Sequence, residues 1–156
     1  MQGIKQLIGI FLGFSGFLFP VFAQEVSINK ARVTFIKQQV VMEVEIAKTE
    51  QARQYGLMNR TQLDSNSGML FVYSDEALRG VWMKNTLLPL DVLFINRDGR
   101  IVSIAQNLQP CKIERCPVTD SQGIAQYMLE VNAGFIDRHN IQLGQTVLMD
   151  YQHEKQ

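Results

Sequence analysis

Alternation of apolar and polar residues is the feature that most limits what this chain can fold into. In VVMEVEIA, residues 40–47, Met42 and Val44 share one face while Glu43 lies on the other, which is the period of a half-buried β-strand. Further segments of this kind are RVTFI, MLFVY, VWMK, DVLFI, IVSIA, QYMLEV and QTVLMD. The sequence therefore predicts a β-rich domain of about seven or eight short strands.

One segment follows a different pattern. TEQARQYGLMNR, residues 49–60, predicts a helix, with Thr49 as the N-cap and Glu50 in the first turn. DVLFI, NRDGR and IVSIA together predict a hairpin around Asp98-Gly99. Because no strand–helix–strand unit repeats, we predict a mainly β (α+β) fold. It should be a compact antiparallel or mixed β domain with one helix after the second strand.

The first 23 residues predict a secretory signal peptide. A basic start precedes an apolar run from Leu7 to Phe19, and small or aliphatic residues lead to a cleavage site after Ala23. This run is shorter than the roughly 20 residues that a spanning helix needs. We therefore expect an exported, periplasmic protein, with an N-terminal membrane anchor as the alternative. Residues 24–156 should form one domain whose tail frays from about residue 151.

Composition and motifs argue against several functions. Removing Lys5 leaves 14 basic and 15 acidic side chains, which does not predict a nucleic-acid partner because such partners favour a basic surface. His139 and His153 are too few for a three-histidine metal site. Glycine-rich phosphate loops, dinucleotide fingerprints and G-x-S-x-G elbows are absent from the sequence. We expect no cofactor and, after signal cleavage, no stable membrane span.

Cys111 and Cys116 are the two cysteines, in QPCKIERCPV. An exported protein meets an oxidising compartment, which favours a local disulfide. A redox or metal pair is the alternative. However, four residues separate the cysteines instead of two, and no histidine lies nearby in sequence. We predict a structural Cys111–Cys116 disulfide.

Arginines and an acid are the first candidates for chemistry. Arg53, Gly56 and Arg60 are spaced to lie along one stripe of the predicted helix. Gly56 either exposes backbone to a ligand, or it packs closely or ends the helix. Asp91 begins an apolar strand, and if it is buried its charge needs a partner such as Arg53 or Arg60. Alternatively, Asp91 lies at a pocket edge as a ligand acceptor or general acid/base.

Glu130, in YMLEV, is the second candidate carboxylate. It could share a glycosidase-like reaction with Asp91 if the distance between the two carboxyls suits. Trp82, the only tryptophan, is either a core residue or a flat pocket wall. In the second case Lys84 and Asn85 would hydrogen-bond a polar ligand.

Three methionines stand in distinctive stretches, Met58 in GLMNR, Met69 in GMLF and Met83 in WMKN. Thioethers beside a tryptophan in an exported protein could bind Cu(I). Methionine is also the usual filler of irregular cores. We prefer core packing and predict no metal site.

The order of the motifs resembles a known family. RQYGLMNRTQLDSNSGMLFVY, VWMKNTLLPLDVLFINRDGRIVSI, CP and YMLEVNAG are similar to the bacterial and archaeal domain of unknown function number 192, over about Val26 to Asp150. The resemblance implies a single small β-rich domain, often exported, and brings no activity, substrate or cofactor. Cys111 is not part of the family pattern. The pattern covers Arg53, Gly56, Leu57, Met58, Arg60, Gly68, Met69, Leu70, Phe71, Trp82, Met83, Asn85, Thr86, Pro89, Asp91, Glu130 and Gly134.

Three functions follow as hypotheses. The preferred one is a binding module for a small polar or anionic ligand, or an envelope component, through a pocket of Arg53, Gly56, Arg60, Trp82, Lys84, Asn85 and Asp91. The second is an enzyme that processes envelope glycan or peptide, with Asp91 or Glu130 as acid/base. The third is an assembly or interaction factor. The sequence does not identify a protein partner.

Overall fold

The structure is a computed structural model that describes residues 30–151, which form nine strands and two short helices. The strands are β1 Lys30–Phe35, β2 Val40–Ala47, β3 Ser67–Ala77, β4 Gly80–Trp82, β5 Leu90–Ile95, β6 Ile101–Leu108, β7 Val118–Asp120, β8 Ala125–Asn132 and β9 Val147–Asp150. The helices are α1 Glu50–Tyr55 and α2 Phe135–Arg138. The predicted mainly β class is confirmed, including the helix after the second strand. The predicted signal peptide and the tail beyond residue 151 lie outside the described residues.

Seven strands form one curled mixed sheet in the order β6-β5-β8-β3-β2-β1-β9, while β4 and β7 form a separate two-stranded antiparallel ribbon. Only β2 and β3 pair in parallel within the large sheet. Parallel neighbours cannot be joined by a tight hairpin. The connection between them, which contains α1, is therefore a crossover connection.

Each face of the sheet has its own hydrophobic cluster. The first face carries, among others, Val33, Val44, Leu70, Leu93, Leu129 and Phe135. The second face carries Leu57, Met69, Phe71, Met83, Val92, Phe94 and Met128. All six residues of β5 are buried, as expected for a strand that is covered on both faces. Within residues 30–151, no helix is long and apolar enough to cross a membrane.

Helix α1 is shorter than predicted, and Gly56 explains where it ends. Thr49 Oγ1 accepts a hydrogen bond from the Ala52 amide at 3.1 Å, which confirms the predicted N-cap. Gly56 is the C-cap with a φ of +50°, and a Cβ there would lie 3.2 Å from the Phe71 ring. Termination and close packing therefore account for the glycine. The predicted helical stripe that continues to Arg60 is wrong, because the chain turns after Tyr55.

Candidate functional site

Asp91 is buried in the interior but without the expected arginine. Its Oδ1 accepts a hydrogen bond from the Asn107 amide at 2.9 Å, and its Oδ2 accepts one from the Ile136 amide at 3.0 Å. These bonds to backbone amides compensate the buried carboxylate. Pairing with Arg53 or Arg60 is therefore a wrong prediction. Asp91 instead ties β5 to β6 and to the start of α2.

Arg60 forms its ion pair with Glu45 on β2. Its Nη1 and Nη2 donate to the two carboxylate oxygens at 2.7 and 2.5 Å, a bidentate arrangement. The hydrogen bond to Glu45 raises the pKa of Arg60. Both side chains remain about one third exposed. The pair therefore pins the turn after α1 to β2 at the protein surface.

Arg53 belongs to a different group, together with Tyr73 and Arg79. The Cζ of Arg53 lies 4.8 Å from the centroid of the Tyr73 ring, and the Cζ of Arg79 lies 3.9 Å from it. Both distances are within the range of cation–π contacts. Burial raises the pKa of the Tyr73 hydroxyl, against the opposing effect of the two cations. Two guanidinium groups are thus held on one aromatic ring.

Backbone carbonyls fix the Arg53 guanidinium. Its Nη1 donates to Val72 O at 3.0 Å and also to Lys48 O. A guanidinium has five N–H donors. The Nε–H and both Nη2 hydrogens of Arg53 therefore have no hydrogen-bond partner among residues 30–151.

The Arg79 guanidinium is fixed in the same manner. Its Nε donates to Ala125 O at 3.1 Å, and its Nη2 donates to Asp75 Oδ1 at 2.9 Å and to Asp75 O. The bond to Arg79 lowers the pKa of the Asp75 carboxyl. Both Nη1 hydrogens of Arg79 are without a hydrogen-bond partner within the described part of the chain.

These arginines open onto a cleft of about 390 Å³ that we call the arginine cleft. Its lining residues are Glu50, Arg53, Gln54, Tyr73, Ser74, Asp75 and Arg79. Glu50 accepts a hydrogen bond from Gln54 Nε2 at 3.2 Å, and Asp75 is engaged by Arg79. The cleft thus offers fixed, unused N–H donors beside an aromatic ring, an arrangement suited to a carboxylate or phosphate oxygen.

Tyr73 and Arg79 were missed by sequence reasoning. The signal was weak, since YSDEALRG gives no spacing that marks a site. β3 extends to Ala77 instead of ending at Tyr73, which carries Arg79 back towards the sheet. Contact between Arg53 and Tyr73 depends on how the crossover places α1, which the local sequence does not specify.

Trp82, Lys84 and Asn85 lie on the ribbon and the turn after it. Trp82 is 43% exposed, with Lys84 Nζ 5.3 Å from its ring centroid. The Asn85 amide donates to Cys111 O at 2.9 Å, and Asn85 O accepts from the Asn59 amide at 2.9 Å. The seven predicted ligand-binding residues are therefore spread over the arginine cleft, the end of α1, the Glu45 pair, the ribbon with its following turn, and the interior, not gathered around one pocket.

Glu130 is a buried acid at the centre of the second face, with 6% of its surface exposed. Met69 and Val92 are its register partners on β3 and β5, and Met128 precedes it on the same face of β8. Its carboxyl makes no hydrogen bond or ion pair within residues 30–151. Burial raises the pKa of Glu130 to about 8. The carboxyl is therefore protonated at neutral pH.

The predicted disulfide is present between Cys111 and Cys116. Met69 and Met83 belong to the second cluster, which agrees with core packing. Met58 is not one of its buried members. Between residues 30 and 151, no group of three or more His, Cys, Asp or Glu side chains is placed to hold a metal ion.

Fold and site together define a small domain built on one curled mixed sheet, with an arginine-lined cleft at the surface and a protonated acid inside. The chain belongs to the DUF192 family, described as "Uncharacterized ACR", whose model matches residues 32–149. This confirms the resemblance seen in the motifs. The family description assigns no activity.

Crystal structures similar to this chain include the following two. A protein of Sinorhizobium meliloti 1021, named as a candidate transcription regulator, is 35% identical with a TM-score of 0.70, covering 78% of this chain and 92% of that one. A protein of unknown function from Novosphingobium aromaticivorans DSM 12444 is 32% identical with a TM-score of 0.69, covering 76% and 83%. No curated protein matches the chain.

Proposed function

We propose that this protein is a binding module that holds a small carboxylate ligand in the arginine cleft. The observation that carries the proposal is the set of unused guanidinium donors, three on Arg53 and two on Arg79. Carbonyl acceptors and the Tyr73 ring already hold both groups in place. A ligand therefore meets donors that need little further ordering, which favours binding.

The charge of the cleft selects the class of ligand. Arg53 and Arg79 contribute two positive charges, and Glu50 and Asp75 contribute two negative charges. A doubly charged phosphate would be repelled by these carboxylates. A single carboxylate on a molecule with hydroxyl or ammonium groups suits the cleft better, because Glu50 can accept hydrogen bonds from them. Amino acids, sugar acids and peptide C-termini have this chemistry.

The test is calorimetric titration of the protein with N-acetyl amino acids, free amino acids, dipeptides, glucuronate and inorganic phosphate. Replacing either cleft arginine by lysine keeps the charge but removes the planar fork. We expect Arg53→Lys and Arg79→Lys to weaken carboxylate binding by about tenfold or more, since each removes a charge-assisted hydrogen bond. Arg60→Lys, outside the cleft, is the matched control and should bind as the wild type does. If a folded wild type binds none of the carboxylates, the proposal fails.

Acid–base catalysis by Glu130 is the second candidate function. The supporting observation is a carboxyl without a partner in the described chain that burial keeps protonated, the state needed in a general acid. The Tyr73 hydroxyl of the cleft lies 3.9 Å from the sulfur of Met128, which is on the same face of β8 as Glu130. The substrate would be an envelope glycan or peptide with a carboxylate end. In Glu130→Gln we expect retained binding and lost turnover; equal turnover in the two proteins would remove Glu130 from any mechanism.

Export to the periplasm is a further part of the proposal. It is supported by the pattern of residues 1–23 and is compatible with the Cys111–Cys116 disulfide. N-terminal sequencing of the protein from the periplasmic fraction should find Gln24 first. Recovery of an intact Met1 from the cytoplasmic fraction would contradict export.

A further inference from the structure

A second surface, distinct from the arginine cleft, exposes apolar side chains. Trp82 is 43% exposed, Val118 56% and Ile113 64%. Trp82 and Val118 are directly opposite each other in the β4–β7 ribbon, so their side chains lie on the same face. Val81, which precedes Trp82 on β4 and is opposite Thr119, points the other way and is buried. The ribbon therefore packs one face on the core and presents the other, with Trp82 and Val118, to its surroundings.

The disulfide loop lies next to this ribbon. Lys84, two residues after Trp82, forms a β-bridge with Cys111, and the Cys111 amide donates to Met83 O at 3.0 Å. The bond between Cys111 and Cys116 closes a short loop, and Ile113 stands exposed in that loop. A closed loop loses less conformational entropy on binding than an open one. Ile113 is thus held at the same end of the molecule as Trp82.

Three cations and two acids surround these apolar residues. Lys84, Lys112 and Arg115 belong to the ribbon turn and the disulfide loop, Glu114 is the acid of the loop, and Asp120 lies on the same face of the ribbon as Val118. Lys84 Nζ lies 5.3 Å from the Trp82 ring centroid. We define Trp82, Lys84, Lys112, Ile113, Arg115 and Val118 as the ribbon surface. It combines exposed apolar side chains with three cations, one more than the two neighbouring acids Glu114 and Asp120.

We propose that the ribbon surface binds the anionic surface of a lipid bilayer. Tryptophan favours the boundary between headgroups and acyl chains, where its ring is buried and its N–H remains hydrated. Lysine and arginine are attracted to anionic headgroups. Lysine is by contrast depleted from the centre of protein–protein interfaces, which argues against a protein as the occupant. The proposal does not depend on the arginine cleft, because the two surfaces share no residue.

The chain's only tryptophan makes the test direct. The full chain, produced from its own coding sequence, is mixed with vesicles of phosphatidylcholine alone or with 30% phosphatidylglycerol (about a third anionic lipid, as a chosen composition). Trp82 emission is recorded with and without brominated acyl chains. We expect a blue shift and quenching with anionic vesicles, both reversed by high salt. Because Trp82 is the reporter, quenching requires brominated acyl chains to reach this residue of the ribbon surface.

Charge variants test the recognition of anionic lipid. Replacing Lys84, Lys112 and Arg115 by glutamine should weaken the lipid partitioning seen by Trp82 by about 100-fold. The same replacement of Lys30, Arg32 and Lys37, on β1 and its turn, is the matched control and should have no effect on quenching. Equal quenching with neutral and anionic vesicles would overturn the proposal.

Apolar variants test the insertion of the ribbon surface. Ile113→Ser should reduce quenching of Trp82, while Leu148→Ser, an exposed residue of β9 with a similar exposed fraction, should not. A Trp82 blue shift that depends on protein concentration in the absence of lipid would identify self-association instead and would overturn the proposal. Absence of quenching in anionic vesicles would do the same.

Discussion

Asp91 and Glu130 are two buried acids, one register step apart, that differ in their hydrogen-bond partners. They lie on the neighbouring central strands β5 and β8, where Asp91 is opposite Val131 and Glu130 is opposite Val92. Alternation directs Asp91 to the first face and Glu130 to the second. Asp91 receives two backbone amides, and Glu130 receives no donor from residues 30–151.

The difference shows that burial alone does not define the role of an acid in this fold. On the first face, Asp91 links β5, β6 and α2, because its oxygens accept hydrogen bonds from the part-buried Asn107 amide and from the buried Ile136 amide. On the second face, Glu130 lies among apolar neighbours and makes no hydrogen bond or ion pair within residues 30–151. The first face thus contains an acid that stabilises the fold through hydrogen bonds, and the second contains an acid whose pKa is raised by burial.

Replacing Glu130 should give the largest effect. Its pKa is about 8 in the folded protein against 4.5 as the ordinary value. The folded state therefore binds the proton more tightly, so the stabilisation is complete below pH 4.5 and is lost as the pH rises through 8. We expect wild type to lose on the order of 5 kcal/mol of unfolding free energy across that range relative to Glu130→Gln. Urea unfolding at pH 5, 7 and 9 measures this.

Glu43→Gln is the matched control, because Glu43 is an exposed acid on β2. Its free energy of unfolding should change with pH as that of wild type does. Parallel stability profiles for wild type and Glu130→Gln would show that Glu130 is not the perturbed acid, and the contrast with Asp91 would disappear.

Asp91→Asn should give the next largest loss. A carboxamide has one oxygen, so its amino group must face either the Asn107 or the Ile136 amide, donor against donor. We expect a cost of about 3 kcal/mol at pH 7. Asp98→Asn, in the exposed hairpin turn, should cost almost nothing. An Asp91→Asn protein as stable as Asp98→Asn would mean that the two amides do not depend on this carboxylate.

Much of the fold could be predicted because its signals are local. β2 has the predicted bounds because apolar and polar residues alternate through its centre, from Met42 to Ile46, and Thr49 caps α1 as its side-chain chemistry favours. β7 was not predicted, because Val118–Asp120 is only three residues long and its apolar member is exposed. A strand of three residues is too short to show a pattern of alternating apolar and polar residues.

The sites depended on contacts between distant segments, which sequence patterns do not encode. Asp91 was correctly identified as an acid that needs partners when buried, but its donors come from residues 107 and 136 through the sheet register. The arginine cleft requires Arg79 to meet Tyr73 and Arg53 across the crossover. Charge matching alone suggested Arg–Asp pairs, and it failed because backbone amides competed successfully for Asp91.

Removing the disulfide tests how much the stability of the second face depends on the loop that covers it. Cys111 packs against the second cluster and hydrogen-bonds the backbone of Met83 and Asn85. Replacing both cysteines by serine should lower the unfolding free energy by about 2 kcal/mol, the chain-entropy value for so short a loop. Hydrogen exchange should accelerate at Asn85 while the Ile136 amide, bound by Asp91, stays protected. Equal acceleration at both amides would show that the two faces unfold together.

The smallest expected effect concerns Glu45, a third acid that shares a row with Glu130. Across the second face, Glu45 is opposite Met69, and Met69 is opposite Glu130, so two strand spacings, about 10 Å, separate the two acids. Arg60→Ala should cost at most about 1 kcal/mol, since the Glu45 pair is partly exposed.

A double-mutant cycle with Glu45→Ala separates the pair energy from the loss of each side chain. Removing Arg60 also leaves the Glu45 charge uncompensated in the same row, which opposes ionisation of Glu130. We therefore expect the pH at which Arg60→Ala loses stability to move slightly upward, and the Arg60→Ala, Glu45→Ala double variant to return it to the wild-type position. An unchanged pH in the single variant would show that the two acids do not interact, and that desolvation by the immediate apolar neighbours of Glu130 accounts for its raised pKa.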